Sequence, residues 1–212
     1  MQVREARPRA RVNPVRIMAA IPFNVVLPHL GLASFDVGIR RGTKETGEIQ
    51  VIAWWIASIR PSFDPPLLVG VVHEERYEGG PGPGNLIARG FVAEATVVGV
   101  ASIKDNPVAN ALAHVNILAA EPPRRKKYIN CDEWWDPGQV MDGVSYDFHW
   151  QSRESAGHFR FSNPQMESLK EVELALLKFA KQIMIASGQR SLEGCLKGWA
   201  RYCGSAEEPV CM

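Results

Sequence analysis

The sequence lacks the motifs by which most enzymes are recognised. It contains no GxSxG nucleophile elbow, no HExxH metal-binding pattern and no glycine-rich loop that ends in Lys-Ser or Lys-Thr. The glycine-rich stretch 79–85 carries two prolines, which remove amide donors that a phosphate-binding loop needs. His73 and Glu74 stand together, but no second histidine follows at a metal-ligand spacing. We therefore expect a protein that is not an enzyme and that has no cofactor.

Cysteine is scarce and poorly placed for a metal site. No CxxC pair is present among the four cysteines, which are Cys131, Cys195, Cys203 and Cys211. Cys195 and Cys203 are separated by eight residues, which is more than about 10 Å along a helix that rises ~1.5 Å per residue. The two thiolates could not coordinate one metal ion unless that helix were broken. We expect no bound metal, and thiols that are reduced and idle.

Long apolar runs are also missing. No uninterrupted run reaches the roughly 18–20 residues that a membrane-spanning helix needs. No apolar region precedes a cleavage-like site near the first residue. We expect a protein that is not secreted and has no transmembrane helix. With 46% hydrophobic and 22% charged residues, its composition is that of a globular chain.

Charge is nearly balanced overall, at +1, but positive charge is clustered. Residues 1–16 hold five arginines against one glutamate. Two further clusters give the candidate nucleic-acid-binding residues, because Lys and Arg contact phosphate and release counterions. These residues are Arg40, Arg41, Lys44, Arg124, Arg125, Lys126 and Lys127. The alternative is a solvated basic rim, with nearby tryptophans such as Trp54 and Trp55 buried rather than stacked on bases, and the residues alone do not decide.

The pattern of residues 17–160 is mainly β. Clusters of turn-forming residues separate segments rich in Val, Ile, Phe and Trp. The alternation in 34–39 and 145–150 predicts sheets with one buried face. This spacing indicates an antiparallel sandwich or barrel. The predicted strands are 25–27, 32–39, 48–59, 67–72, 92–103, 111–119 and 144–150.

A helical period begins after residue 160. Asn163-Pro164 is a good helix start, apolar residues from Leu169 to Ile183 follow helical spacing, and Gly188 is a plausible C-cap. A shorter helix is predicted over 191–202. The chain is therefore divided into a flexible basic arm (1–16), a β-barrel core (17–160), a helical extension (161–204) and a tail (205–212).

Residues 20–155 resemble the thirty-kilodalton (30K) superfamily of plant-virus movement proteins. In that family a His-Ile/Leu-Gly sequence leads to a strand, a basic turn and a second strand, as His29-Leu30-Gly31 leads here to 32–39, 40–47 and 49 onward. An apolar strand, an Asp-containing turn and another strand are matched by 95–103, Lys104-Asp105-Asn106 and 111–118. Asp136-Pro137 followed by 144–148 is similar to the last barrel strand.

The resemblance implies a single antiparallel jelly-roll-like core with a C-terminal α-helical extension. It also implies a protein that binds viral nucleic acid without sequence preference and carries it through plasmodesmata. Implied partners are single-stranded nucleic acid such as viral RNA, host plasmodesmal or membrane-associated proteins, the coat protein and further copies of the chain. The implied location is the host cytoplasm and plasmodesmata. The family-like structural positions are His29, Gly31, Gly47 and Asp105.

Two other interpretations stay open. A viral coat protein would share the jelly-roll core, and its arginine-rich arm would neutralise packaged RNA. A cellular β-barrel that binds or transforms a small molecule would instead have an apolar cavity with a few convergent polar groups.

Overall fold

The computed structural model describes residues 21–43, 47–77, 84–115, 143–164 and 166–203. Within them, seven antiparallel strands form one sheet, and four helices accompany it. The strands are β1 (Arg40–Thr43), β2 (Gly47–Pro61), β3 (Leu67–Tyr77), β4 (Asn85–Glu94), β5 (Val97–Ser102), β6 (Val144–Ser152) and β7 (Ala156–Ser162). The helices are α1 (Leu27–Leu30), α2 (Pro107–Ala113), α3 (Glu167–Ser187) and α4 (Glu193–Tyr202). The prediction of a mainly antiparallel β fold with C-terminal helices is confirmed.

The sheet is open. Its strand order is β5-β4-β3-β2-β6-β7, and β1 pairs with β2 off this path. Strand β2 pairs with β3 along one edge, and along the other edge with β1 near its start and with β6 from Ala53 to Pro61. In the described part of the chain β1, β5 and β7 each pair on one side only, and the sheet does not close into the predicted barrel.

Both faces of the central strands are buried, because different parts of the chain cover them. Trp55, Ala57 and Ile59 face α3 and α4, and this side is called the helix-covered face. Ile56 points to the opposite side, where residues from Ile21 to Val37 pack over β2–β5. A strand covered on both faces carries a nearly continuous apolar run, as β2 does.

The region before β1 differs from prediction. Residues 25–27 and 32–39 were expected to be strands, but a 3₁₀ turn (Phe23–Val26) runs into α1, and Gly31 at φ 62° ends that helix. Pro28 occupies the first turn of α1, where its missing amide costs no hydrogen bond. From 32 to 39 the chain makes one isolated bridge, between Val37 and Val51. Its apolar side chains pack onto the sheet face instead of adding a strand.

Two other predicted strands are also wrong. The stretch 92–103 is not one strand but the end of β4, a two-residue turn and β5. Residues 111–113 of the predicted strand 111–119 end α2, and 116–119 lie outside the described residues. Asn106 caps α2 by accepting a hydrogen bond from the Ala109 amide at 3.1 Å, and Pro107 follows at the first helical position. Strand β7 was missed.

The C-terminal helices confirm the helical period. Helix α3 ends at Gly188, which takes a left-handed φ of 70° that favours glycine. It begins at Glu167 rather than at Asn163-Pro164, because the Asn163 side chain accepts a hydrogen bond from the Val144 amide at 2.8 Å. Trp199 of α4 is fully buried against the sheet. None of the helices in the described ranges has the length and apolarity to cross a membrane.

Candidate nucleic-acid interface

The predicted basic turn is only partly described. Arg40 lies 3.8 Å from the ring centroid of Tyr77 and 3.9 Å from Glu48 Oε2. Arg41 donates a hydrogen bond to Asp36 at 2.7 Å. A hydrogen bond from Ser34, together with Arg41, lowers the pKa of the Asp36 carboxyl. Each of these two arginines therefore has an acidic neighbour, and together they offer little excess positive charge to a phosphate.

Several predicted binding residues cannot be placed. Lys44 and the cluster Arg124, Arg125, Lys126 and Lys127 lie outside the described residues. Of the tryptophans considered for base stacking, Trp55 is buried in the core. Trp54 donates its indole N–H to the Phe35 carbonyl at 2.9 Å and packs against the Phe35 ring. Trp55 is therefore buried and Trp54 is half-buried with its indole N–H already engaged, which fits the alternative of a solvated rim for this part of the chain.

The four family-like positions lie at a helix end, at the start of a strand and in a loop. His29 is exposed, and Gly31 and Gly47 take positive φ angles of 62° and 81°. Asp105 is exposed in the loop before α2. His29-Leu30-Gly31 thus forms a helix end rather than the start of a strand.

A buried ion pair holds this helix end on the sheet. Glu74 is fully buried, and Arg89 Nε lies 2.6 Å from its Oε1. Arg76 donates to the same carboxylate at 3.0 Å. Arg89 also donates to the Leu30 carbonyl. Glu74, which was weighed as a catalytic group, therefore serves to pair two arginines and to anchor α1.

A different polar surface forms where the sheet extends beyond this covering segment. On β6 and β7 the side opposite the helices carries polar residues at every second position. Together with the end of β2 it presents five ionisable side chains, which we call the arginine–histidine surface. They are Arg60, Asp147, His149, His158 and Arg160.

Strand register brings these side chains together. His149 pairs with His158 across β6 and β7, and Asp147 pairs with Arg160 in the next row. Arg60 lies one row further along β2. Because alternate residues share a face, all five point to the same side of the sheet.

Asp147 is the centre of this surface. Arg160 donates a hydrogen bond to its Oδ2, and Arg60 Nη2 lies 3.8 Å from the same oxygen. His149 Nε2 lies 3.1 Å from Oδ1. Burial by itself would raise the pKa of Asp147, but the hydrogen bond from Arg160 and the nearby positive charges lower it. The carboxylate is therefore ionised and shared among three basic groups.

The two histidine rings stack on each other across β6 and β7. Their ring centroids lie 5.3 Å apart with an interplanar angle of 17°. Phe23 meets His149 edge-on at 5.0 Å. Flat rings beside cationic side chains are the features by which proteins bind single-stranded nucleic acid without reading its sequence.

A second polar cluster lies on the helix-covered face. Tyr146 donates a hydrogen bond to Glu173 of α3, and the Trp199 indole donates to the Tyr146 oxygen at 2.9 Å. Burial raises the pKa of Glu173 and raises that of the Cys203 thiol to about 12. A raised pKa keeps this thiol protonated at neutral pH. This cluster ties the sheet to both C-terminal helices.

An open cleft of about 730 Å³ adjoins this cluster. Ionisable side chains line it as well as apolar ones, including Glu167, Lys170, Glu173 and Arg201. It therefore differs from the apolar cavity that a small-molecule β-barrel would have. The described residues contain no group of three or more His, Cys, Asp or Glu that would hold a metal ion.

The arginine–histidine surface was missed at the level of sequence because its members are far apart in the chain. The available signal was the alternation of 145–150, which predicts polar side chains on one face of β6, and the same alternation in 156–162. Against known protein families, curated proteins and solved structures, the chain shows no match.

Proposed function

We propose that this protein binds single-stranded nucleic acid without sequence preference, and that it carries viral nucleic acid between plant cells as a movement protein. The observation that carries the binding proposal is the arginine–histidine surface. The movement role rests on the resemblance of residues 20–155 to the 30K superfamily.

The chemistry of the surface suits a nucleic-acid backbone. The Arg160 side chain is 59% exposed and that of Arg60 35% exposed, so both side chains reach solvent in part. A guanidinium group presents a planar fork of donors that matches phosphate oxygens. The stacked histidines lie in the adjacent row and offer a ring face to an unpaired base.

Residues 1–16 carry positive charge and stand close in sequence to a segment that contacts this surface. Phe23 contacts His149, and the arginine-rich residues 1–16 precede it by only seven residues. At roughly 3.6 Å per residue, Arg16 is tethered within about 25 Å of Phe23. The basic segment therefore contributes to the local concentration of nucleic acid.

The finer parts of the resemblance stay predictions. A jelly roll would need strands beyond the seven in the described residues. Two of the family-like units lack the strands that the resemblance implied, because 32–39 makes only one isolated bridge and 111–113 is helical. Plasmodesmal location, host partners and self-association are supported by the resemblance alone.

Salt-dependent RNA binding tests the surface. A short labelled single-stranded RNA is titrated at several salt concentrations with the wild type and with the double variant Arg60→Gln/Arg160→Gln. Each lost phosphate contact on single-stranded nucleic acid lowers the log–log salt slope by about 0.7, so the variant should lose about 1.4. The matched control is Lys178→Gln/Lys197→Gln, which removes two exposed charges from the helix layer. An equal loss in both variants would contradict binding at this surface.

The biological role is tested in plant cells. A fluorescent fusion should mark plasmodesmata, and the protein should rescue a movement-deficient virus. The Arg60→Gln/Arg160→Gln variant should fail to rescue, whereas the helix-layer control should succeed. Nuclease-protected particles on expression, without plasmodesmal labelling, would support the coat-protein interpretation instead.

A further inference from the structure

The arginine–histidine surface contains an anion of its own, the Asp147 carboxylate, which lies between the two arginines. Asp147 Oδ2 accepts the hydrogen bond from Arg160 and lies 3.8 Å from Arg60 Nη2. A backbone phosphate bound by both arginines would need an oxygen in this same place. We propose that Asp147 is a built-in competitor of phosphate that limits the affinity of this surface for nucleic acid. This inference rests on the proposed function, whose binding site it concerns.

The burial of the groups explains how exchange would proceed. Asp147 is 8% exposed, whereas the arginines reach solvent. An arriving phosphate can therefore contact the outer donors of the guanidinium groups before the carboxylate releases them. Asp147 cannot follow its partners into solvent, because it sits in the middle of the β2–β6–β7 rows.

The cost of release is also specific to this site. Pulling both arginines away would leave a buried carboxylate paired with His149 alone. An ion that loses its partners in a buried position is strongly disfavoured. The free energy gained from the phosphate–arginine contacts is therefore reduced by the free energy lost when the arginines leave Asp147. The result is weak, readily reversible binding, which suits a carrier that must release its cargo.

Alternatively, Asp147 has a purely structural role and only links strands β2, β6 and β7 through its ion pairs. The two roles make different predictions for Asp147→Asn, which keeps the size of the side chain and removes its charge. If Asp147 competes with phosphate, this variant should bind single-stranded RNA about tenfold more tightly at low salt, with a steeper salt dependence. If Asp147 has only a structural role, the affinity of the variant for RNA should stay unchanged, or fall because the protein is less stable.

The control for charge removal is Asp36→Asn. It releases Arg41, which Asp36 holds at 2.7 Å on β1, from an exposed ion pair that lies away from the arginine–histidine surface. Because the net charge changes equally, a general electrostatic effect would strengthen RNA binding in both variants. A gain confined to Asp147→Asn supports competition at the surface. Equal gains in the two variants overturn it.

A double-mutant cycle tests whether the gain in RNA affinity depends on the two arginines. Asp147→Asn is combined with Arg60→Gln/Arg160→Gln, and the gain in affinity should vanish when the arginines are absent. A gain that persists would overturn the proposal. Melting temperatures of all variants are measured first.

If Asp147→Asn does not fold, side-chain NMR of the wild type gives the answer. RNA must then shift the Nε–H signals of both Arg60 and Arg160, and unchanged signals overturn the inference. Wild-type protein that binds RNA while Asp147→Asn shows no gain overturns the competition alone. Loss of RNA binding in every protein, including the wild type, overturns the proposed function as well.

Discussion

The two faces of β6 and β7 show how one pair of strands can serve two purposes. On the helix-covered face, Phe148 stacks on Phe159 at 4.9 Å and Tyr146 on Phe161 at 4.6 Å. On the other face, one residue away along the chain, Asp147 and His149 lie among arginines. The first face gains stability from burial, and the second keeps its charges in reach of solvent. Mutations of neighbouring residues should therefore differ in how much they lower stability and in how stability depends on pH.

The largest contrast should be between Phe148→Ala and His149→Ala. Phe148 is 1% exposed, and its truncation should cost about 3–5 kcal/mol through lost burial and the cavity left behind. The His149 side chain is 35% exposed, and its truncation should cost less than about 1 kcal/mol. Urea unfolding followed by circular dichroism measures both. Comparable costs would show that the second face is as tightly packed as the first.

The two faces should also respond oppositely to pH. Glu173 has a folded pKa above its ordinary 4.5, so its contribution to stability is complete below that value and is lost as pH rises through the folded pKa. Asp147 has a folded pKa below 3.8, so its contribution is present above 3.8 and is lost as pH falls through the folded pKa. Urea midpoints measured from acid to neutral pH should show both slopes.

Substitutions assign each slope to its residue. Glu173→Gln should remove the loss of stability at rising pH, and Asp147→Asn should remove the loss at falling pH. Glu167→Gln, which changes an exposed residue of the same helix as Glu173, is the matched control and should leave both slopes in place. If it alters the pH profile as much as Glu173→Gln does, the buried cluster is not the cause.

The smallest effect should come from the basic turn that the sequence singled out. Arg41→Gln removes an exposed surface ion pair with Asp36, so stability should be nearly unchanged. Its effect on RNA affinity should be smaller than that of Arg160→Gln, because Asp36 neutralises Arg41 in a one-to-one pair, whereas Asp147 is shared between two arginines. A larger loss of affinity for Arg41→Gln would move the binding surface to β1.

Sequence reasoning worked where structure follows a local period. The alternation of 145–150 predicted the two-faced strand β6, and the helical spacing after Leu169 predicted α3 and its end at Gly188. It failed where tertiary packing decides between alternatives. Residues 32–39 alternate as a strand would, but their apolar side chains are used to cover the sheet. Periodicity cannot tell a strand from an extended segment packed on a sheet.

The candidate site was less predictable than the fold. Clusters of basic residues adjacent in sequence drew attention to Arg40 and Arg41, yet nearby carboxylates pair with both. Arg60 and Arg160 each stand alone among uncharged neighbours and give no local signal. Only the register of β2, β6 and β7 places them around one carboxylate.

The sequence by itself therefore determined that the chain is mainly antiparallel β with C-terminal helices, because alternation and helical spacing are properties of neighbouring residues. The tertiary structure decided which residues meet. It placed the Leu30 carbonyl beside Arg89, and Asp147 between Arg60 and Arg160. Those contacts depend on strand order and register, which are set by how the whole sheet buries its apolar surface.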